Sequence, residues 1–350
     1  MLVDASGTLP LPWLQQPLNR ALESQRGHAL LLHGAPGDGA LQLAFTLAQA
    51  WLCEVGHGSR PCGRCGSCHL VQSRSHPDLT VLLPETLRRE LEWPLPDDKI
   101  DSERKPSKQI RVDDVRFLID RATRTSGRGR GKVALLFPAD VLNVQAANAL
   151  LKTLEEPAPG TRLLLGTAEP ARLLPTVRSR CQLMRLSTPS EEAAVAWLAT
   201  QGVKDTNDAR VLLAACSGRP LDALALLQSG VDARSWAALP AAVAQGRAGA
   251  LSGWPVPRVL DALYKLCHDA LAVSAGAPPR YFPPDKALSQ GQAERLSDWS
   301  RELTRIARHA EHPWNEGLLV EALVRAGHEA LQSARPAGRA AARASDTLRP

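Results

Sequence analysis

Five short apolar runs alternate with helical patterns over the first 186 residues, and this alternation restricts the fold more than any other feature of the sequence. A continuous apolar run of a few residues is typical of a strand that is buried on both faces. Strands that alternate with helices form a parallel sheet with helices on both faces. The predicted strands are 28–34, 78–84, 132–137, 161–167 and 181–186, and the predicted helices are 13–26, 41–53, 111–125 and 143–157. The sequence therefore predicts an α/β domain over residues 1–186.

The strand patterns stop after residue 186. Residues 187–230 predict a small helical domain, and residues 231–332 predict a larger helical domain whose Ala- and Leu-rich segments are separated by proline-containing turns. The tail 333–350 has few large apolar residues, which is typical of disorder. Residues 85–109 are charged, contain three prolines and lack sustained periodicity, so we expect a flexible insertion there.

The composition of the chain argues against a membrane protein and against a disordered protein. The chain has 350 residues, of which 44% are hydrophobic and 22% charged, and these fractions are ordinary for a globular protein. No uncharged apolar run reaches the length of about 18 residues that a membrane span needs. The N-terminus lacks the basic start and long apolar core of a secretory signal. We therefore expect a cytoplasmic protein of two or three domains.

Four of the seven cysteines are clustered, and this clustering predicts a metal site. The four are Cys53, Cys62, Cys65 and Cys68, in the spacing C-x8-C-x2-C-x2-C. Zinc prefers four thiolate or imidazole ligands in a tetrahedron, and each C-x2-C step lets a turn present two sulfurs to one ion. Four thiolates leave no open position, so we expect structural Zn²⁺ rather than a catalytic ion. His57, His69 and His76 lie nearby as substitute ligands, and four free buried thiols are the alternative.

A glycine-rich turn, HGAPGDGAL, follows the first predicted strand and precedes a predicted helix. This is the context of a phosphate-binding loop, in which backbone N–H groups surround the phosphates, a Lys lies beside them and a hydroxyl binds Mg²⁺. The turn contains Gly34, Gly37 and Gly39, but Ala40 occupies the Lys position and Leu41 the hydroxyl position.

Hydrolysis by a phosphate-loop ATPase also needs acidic residues at the end of a buried strand. The strand 132–137 is followed by Pro138, and the nearest acid is Asp140, which we expect to begin a turn or helix. Without the Lys charge and the Mg²⁺ ligands, phosphate oxygens would meet only neutral backbone donors. We therefore expect weak or no ATP binding and no hydrolysis, with the glycines serving the fold.

Four segments together resemble the clamp-loader branch of the AAA+ ATPases, from the bacterial DNA polymerase III holoenzyme. These segments are the cysteine module after the first helix, NALLKTLEEP (148–157), LLLGTAEPARLLPTVRSRC (163–181) and SGRPLDAL (217–224). NALLKTLEEP followed by SRC is highly specific for this family, and the resemblance covers the first 230 residues well.

The resemblance implies a fold, a division of labour and partners. It implies an α/β AAA+ domain with an inserted zinc module, a small helical lid domain and an all-α collar that assembles a ring of subunits. The acidic pair of the ATP-hydrolysing subunit falls on Phe137 and Pro138, which favours a non-hydrolysing member without bound ATP. The SRC motif implies that Arg180 acts in trans on ATP held by a neighbour. The implied partners are gamma/tau-type ATPase and delta-type subunits, the sliding clamp and primer-template DNA.

Other interpretations stay open. Thr167 and Arg219 correspond to nucleotide-sensing positions of the family, although a strand-end hydroxyl and a solvated arginine are simpler explanations. The chain could be an ATP-hydrolysing subunit with an atypical loop. It could also be a zinc-dependent DNA-binding protein, because an acid-free basic cluster is compatible with phosphate contacts. The cluster comprises Arg121, Arg124, Arg128, Arg130 and Lys132.

Overall fold

A computed structural model of the chain describes residues 2–24, 27–55, 60–94, 106–309 and 314–332. The chain forms two compact units, Met1–Trp197 and Leu198–Pro350. The described strands all lie in the first unit, and the described regular elements after β5 are helices. The finer division that we predict, with domain boundaries after residues 186 and 230, stays a prediction.

The first unit contains a five-stranded parallel sheet, which confirms the predicted α/β class. The strands are β1 (Ala29–His33), β2 (Leu79–Leu82), β3 (Lys132–Leu136), β4 (Thr161–Thr167) and β5 (Gln182–Arg185). They pair in the order β2-β3-β4-β1-β5, so β1 lies between β4 and β5. In this register Leu31 lies opposite Leu165 on one side and Leu183 on the other. Each strand falls within one of the five predicted apolar runs.

Helices cover the sheet of the first unit. They are α1 (Gln15–Ser24), α2 (Ala40–Leu52), α3 (Gly66–Gln72), α4 (Glu85–Glu90), α5 (Val112–Thr123), α6 (Val144–Glu155), α7 (Pro175–Arg178) and α8 (Glu191–Thr200), the last of which continues past Trp197. One side of the sheet packs on α5 and α6 through a core that includes Leu31, Leu118 and Leu150. Alternate strand residues point to opposite faces. Leu30 and Leu32 therefore face the other way, and both are buried.

The predicted flexible insertion, residues 85–109, is wrong for its first part, which forms α4. This helix has Pro84 as its N-cap, an acid in its first turn and two arginines in its last turn, an arrangement that complements the helix dipole. Ser107 N–H donates to the Glu85 carboxylate at 2.7 Å. The prediction for residues 95–105 lies outside the described residues.

The second unit is helical over its described residues. Its helices are α9 (Thr206–Ala215), α10 (Pro220–Gln228), α11 (Ala233–Ala237), α12 (Leu239–Ala244), α13 (Val256–Ser274), α14 (Ala293–Ala307) and α15 (Glu316–Leu331). The long helix α13 packs on α14 and α15. Its buried Asp269 accepts backbone N–H groups from residues 280–282 at 2.7–2.9 Å, which ties the following loop to the helix. In that loop Phe282 stacks on Trp236, with ring centroids 4.8 Å apart.

Among the described helices, none by itself is both long and apolar enough to cross a membrane. The pair α9 and α10 meets the criterion only when the two are joined, and they are bent by 102° relative to each other.

Candidate functional site

Two helices bring the four predicted metal ligands together. Cys53 directly follows α2, Cys65 is the N-cap of α3, and Cys68 lies in the first turn of α3. Cys62 belongs to the loop before α3, where Gly63 has a φ of 72°. Glycine adopts this left-handed conformation at no steric cost, and a Cβ there would also lie 1.7 Å from the Asp4 carbonyl oxygen. Residue 63 of this turn therefore requires a glycine.

The four sulfur atoms have the geometry of a tetrahedral metal site. All four lie within 4.8 Å of one another. The Cys62 and Cys68 sulfurs are 3.9 Å apart, and so are those of Cys53 and Cys65. Four sulfurs at about 2.3 Å from one zinc ion would be separated by about 3.8 Å. The donor set and its spacing therefore fit zinc, with each of the four positions filled by a thiol.

Backbone N–H groups support two of the sulfurs. The Cys62 sulfur accepts the N–H of Cys65 at 3.4 Å, and the Cys65 sulfur accepts those of Glu54 and Cys68 at 3.5 and 3.4 Å. Such bonds stabilise thiolates, the form that binds a metal.

The thiols of the module differ in pKa. Burial raises the pKa of Cys53 and, more strongly, that of Cys68. For Cys62 burial also acts upward, but hydrogen bonds from the backbone of Arg64 and Cys65 outweigh it and lower the pKa to about 6. Zinc binds the deprotonated form of each ligand, so a bound ion would have to displace the protons of the two buried thiols.

The two described histidines among the predicted substitute ligands do not lie with the four sulfur atoms. His69 contacts Gln72 through Nδ1 at 3.2 Å, and His76 is buried with its Nδ1 accepting the N–H of Asp78 at 3.0 Å. Neither belongs to the group of four ligand atoms that could hold one ion. His57 lies outside the described residues.

A loop after α5 is fastened to the cysteine module by charged groups. The Arg128 guanidinium pairs with the Glu54 carboxylate, and its Nε also donates to the Ser67 hydroxyl at 2.9 Å. Ser67 in turn donates to Glu54 at 3.0 Å. Gly66 lies beside this contact, since a Cβ on it would be 2.8 Å from Arg128 Nη2.

Asp78 holds the same loop from the opposite direction. Its carboxylate, which is 2% exposed, accepts the N–H groups of Gly127 and Arg128 at 2.8 and 2.9 Å and the Ser126 hydroxyl at 2.9 Å. Lys132 Nζ lies 3.3 Å from the same carboxylate. Burial acts to raise the pKa of Asp78, but these hydrogen bonds outweigh burial and lower the pKa below its ordinary value.

The predicted basic cluster is consequently built into the first unit. Lys132 is buried against Asp78, Arg128 pairs with Glu54, and Arg130 donates to the Glu54 carbonyl. Arg124 pairs with Asp120 one helical turn earlier. Four of the five basic side chains of the cluster are thus engaged by carboxylates or carbonyls of the same unit.

The glycine turn links β1 to α2, as predicted, but three of its backbone donors are used within the chain. The N–H groups of Gly34, Asp38 and Gly39 donate to the carbonyls of Thr167 (3.2 Å), Ala35 (3.0 Å) and Pro36 (3.3 Å), respectively. A phosphate-binding loop needs such N–H groups directed at the phosphate oxygens. The turn therefore lacks much of the donor array that would cradle a nucleotide.

Side chains also fill the space around the turn. Ala40 is fully buried and Leu41 is 8% exposed. Gly39 has a φ of 96°, and a Cβ on it would lie 2.5 Å from Cδ1 of Leu11. The Trp13 indole N–H donates to the backbone carbonyl of the turn at 2.8 Å. The residues before α1 thus seal the turn with packed apolar groups.

Of the two positions at which the resemblance implies a lost acidic pair, Phe137 and Pro138, the first serves packing. Phe137 is 6% exposed, and its ring lies so close to Gly166 that a Cβ there would be 2.2 Å from Cδ2 of the phenyl ring. The peptide bond between Phe137 and Pro138 is cis. Asp140 lies in a short 3-10 helix, Ala139–Val141, which agrees with the expectation of a turn or helix there.

Arg180 lies two residues after the end of α7, with its side chain 33% exposed. Its Nε donates to Glu155 Oε1 at 2.7 Å, and Nη2 contacts the same oxygen. Nη1 donates to the Thr176 carbonyl at 2.9 Å. The guanidinium is therefore held by its own unit and still reaches solvent.

The two positions assigned to nucleotide sensing have partners in their own units. Thr167 is the last residue of β4, and its hydroxyl donates to the Asp140 carboxylate. Arg219 is the N-cap residue of α10 and pairs with Asp222.

Comparison with known proteins identifies the family of the chain. A family model described as DNA polymerase III, delta subunit, matches residues 12–190. The DNA polymerase III subunit delta' of Escherichia coli (strain K12) is 33% identical over 282 residues, which are 75% of this chain and 78% of that subunit. This chain belongs to the DNA polymerase III delta' family.

Two further matches complete the comparison. The delta' subunit of Pseudomonas aeruginosa (strain PAO1) is 40% identical over 223 residues, which are 63% of this chain and 62% of that subunit, so this alignment spans less than two thirds of its length. A DNA polymerase III gamma subunit-related protein from Thermotoga maritima, known from a crystal structure, is 16% identical, covers 91% of this chain and 99% of its own, and has a TM-score of 0.38.

In this delta' family member, sequence reasoning did not identify the acids that hold the loop beside the cysteine module, and it took Glu155 as an exposed helix end by default. Asp78 and Glu54 fasten the loop beside the cysteine module, and Glu155 contacts Arg180. Glu155 and Arg180 are 25 positions apart, and Asp78 is 49 positions from Gly127, so no local pattern connects them. The available signal was the charge of Asp78 at the start of the predicted strand 78–84, because a buried acid needs partners.

Proposed function

We propose that this delta' family member is a clamp-loader subunit of a bacterial DNA polymerase III that neither binds nor hydrolyses ATP itself. It acts in DNA replication in the cytoplasm, where it presents Arg180 to ATP bound by a neighbouring subunit. Membership of the delta' family supports the role in replication. The energy for loading a sliding clamp on primer-template DNA then comes from the neighbours.

One observation carries the non-hydrolysing part of the proposal: the turn that would bind phosphates is closed by its own backbone bonds and by buried Ala40 and Leu41. Leu11 and the Trp13 indole also contact the turn. A nucleotide at the turn would find neither a Lys nor a magnesium ligand. ATP binding by this chain is thus opposed by packing as well as by chemistry.

Arg180 supports the second part, action on a neighbour's ATP. A guanidinium is permanently charged and forked, so it neutralises charge that develops on a transferred phosphoryl group. Arg180 is partly exposed, and it lies in a unit whose own glycine turn lacks the Lys and the magnesium ligand. A phosphate that it contacts would therefore be held by another molecule, for which an ATP-holding gamma/tau-type subunit is the partner that we propose.

We assign structural Zn²⁺ to Cys53, Cys62, Cys65 and Cys68. The sulfur spacing and the four-thiol donor set support zinc, and a closed coordination shell supplies stability rather than reactivity. The α/β part with residues 187–230 would form an AAA+ module with its helical lid. The helices of residues 231–332 would form the collar that joins delta-type and ATPase subunits.

The deciding experiment is the substitution Arg180→Ala in the complex reconstituted with its ATPase and delta-type subunits. We expect normal assembly but a loss of ATP turnover stimulated by the clamp and primed DNA, because an arginine finger contributes about 10³-fold or more to turnover at its site. ATP turnover is measured alongside assembly by size-exclusion chromatography.

Arg178→Ala is the matched control, since Arg178 is exposed and two residues away on α7. We expect it to leave both assembly and turnover unchanged. Unchanged turnover in the Arg180→Ala complex would remove this arginine from the mechanism. Hydrolysis by the isolated wild-type chain would instead favour the ATP-hydrolysing alternative.

A further inference from the structure

We propose that Glu155 is the positioning residue of Arg180: it fixes the guanidinium so that its outer N–H groups face a neighbour's phosphates. This inference rests on the proposed function of Arg180. Glu155 is the last residue of α6, and its side chain is 49% exposed. Since α6 packs on the core through Leu150 and Leu154, the carboxylate is mounted on a fixed element.

The contacts divide the guanidinium into a held side and an available side. Glu155 Oε1 accepts from Nε at 2.7 Å and from Nη2, which together form the lateral face of the group. The Thr176 carbonyl accepts from Nη1 at 2.9 Å. A guanidinium has five N–H donors, so one N–H on Nη1 and one on Nη2 remain. These two remaining N–H groups, one on each terminal nitrogen, can donate to phosphate oxygens.

Orientation before binding has an energetic consequence. A free arginine side chain occupies many rotamers, and ordering it opposes contact formation. Holding it beforehand leaves less entropy to lose when the transition state forms, and misplacement of a reacting group by about 1 Å can cost on the order of a hundredfold in rate. The carboxylate also neutralises part of the arginine charge, but the pair stays solvent-accessible, so the attraction is screened and phosphate can still compete.

The test uses the reconstituted complex with Glu155→Ala, Glu155→Gln, Arg180→Ala and the double substitution of Glu155 and Arg180 by Ala. Glu156→Ala is the matched control, because Glu156 is the exposed neighbour and forms no ion pair with the described part of the chain. Steady-state ATPase kinetics are measured for each complex, with assembly checked by size-exclusion chromatography.

We expect Glu155→Ala to lower kcat about tenfold while the KM for ATP changes less than about twofold, because the contact acts on the transition state. Glu155→Gln keeps an acceptor oxygen, so its kcat should lie between those of Glu155→Ala and wild type. Glu156→Ala should match wild type. In the Arg180→Ala background, Glu155→Ala should have no further effect, since its action passes through the arginine.

Three results would overturn the inference while leaving the role of Arg180 intact. They are a wild-type kcat for Glu155→Ala, a raised kcat, which would make the carboxylate a restraint, and an equal loss with or without Arg180. An Arg180→Ala complex with wild-type turnover has a different meaning, because it would overturn the proposed function itself.

Discussion

The two most informative motifs of the sequence lie at the two ends of α2, and they differ in whether the structure leaves a site for a ligand. At its N-terminal end the glycine turn retains its glycines, but Ala40 and Leu41 are buried and the neighbouring N–H groups are bonded within the chain. At its C-terminal end Cys53 joins three other thiols whose sulfurs surround a space of metal size. The glycines of the turn have a backbone role that does not depend on a nucleotide. Four clustered thiols are best explained by a bound metal ion.

The cysteine end should show the largest effect of any change. Removal of zinc by a strong chelator, or Cys62→Ser, is expected to destabilise the first unit more than any single core substitution, since structural zinc contributes on the order of 10 kcal/mol in small modules. Zinc content by atomic absorption and thermal unfolding provide the measurement. Cys267→Ser, which can keep the bond that the thiol donates to the Leu296 carbonyl, should retain the zinc. Zinc-free wild-type protein of unchanged stability would contradict the assignment.

The glycine end should respond next. Restoring the phosphate-loop letters with Ala40→Lys and Leu41→Thr is expected to lower the free energy of unfolding by about 3 kcal/mol or more and to confer no ATP binding, because a lysine replaces a fully buried alanine. Denaturant unfolding and calorimetric titration with ATP measure the two effects. As a control, Ala196→Lys on the exposed face of α8 should change stability by less than about 0.5 kcal/mol. Micromolar ATP binding by the double variant would show that the turn is open after all.

Asp78, which braces the loop beside the cysteine end, should give the smallest of the three effects, and its effect should depend on pH. The pKa of its carboxyl is below the ordinary value in the folded protein, so its contribution is complete above the unfolded pKa of about 4 and is lost as pH falls through the folded pKa. Asp78→Asn should therefore cost about 3 kcal/mol at pH 7, because it leaves Lys132 buried without its charge partner. The difference from wild type should shrink in urea unfolding below about pH 3.

Asp120→Asn serves as the comparison for Asp78, because Asp120 belongs to an exposed pair with Arg124 on α5. A surface pair of this kind contributes about 0.5 kcal/mol or less. A pH-independent difference between Asp78→Asn and wild type would mean that the carboxylate charge does not brace the loop.

The pattern of apolar runs predicted the sheet well because a buried parallel strand must be apolar on both faces. The consecutive buried residues Leu30, Leu31 and Leu32 are an example of such a strand. The helix over residues 85–90 was missed because it is short and has no buried residue, so neither length nor an apolar stripe marks it.

The sequence by itself determined the parallel α/β class, the four candidate metal ligands and the loss of the lysine and hydroxyl from the glycine turn, because each depends on residue type and short spacing. Tertiary structure alone decided that the turn is closed by Leu11 and Trp13, that the basic cluster is held by Asp78 and Glu54, and that Glu155 contacts Arg180. Those contacts join residues brought together by the sheet, and the free energy of a polar contact depends on distance and burial, neither of which a linear pattern contains.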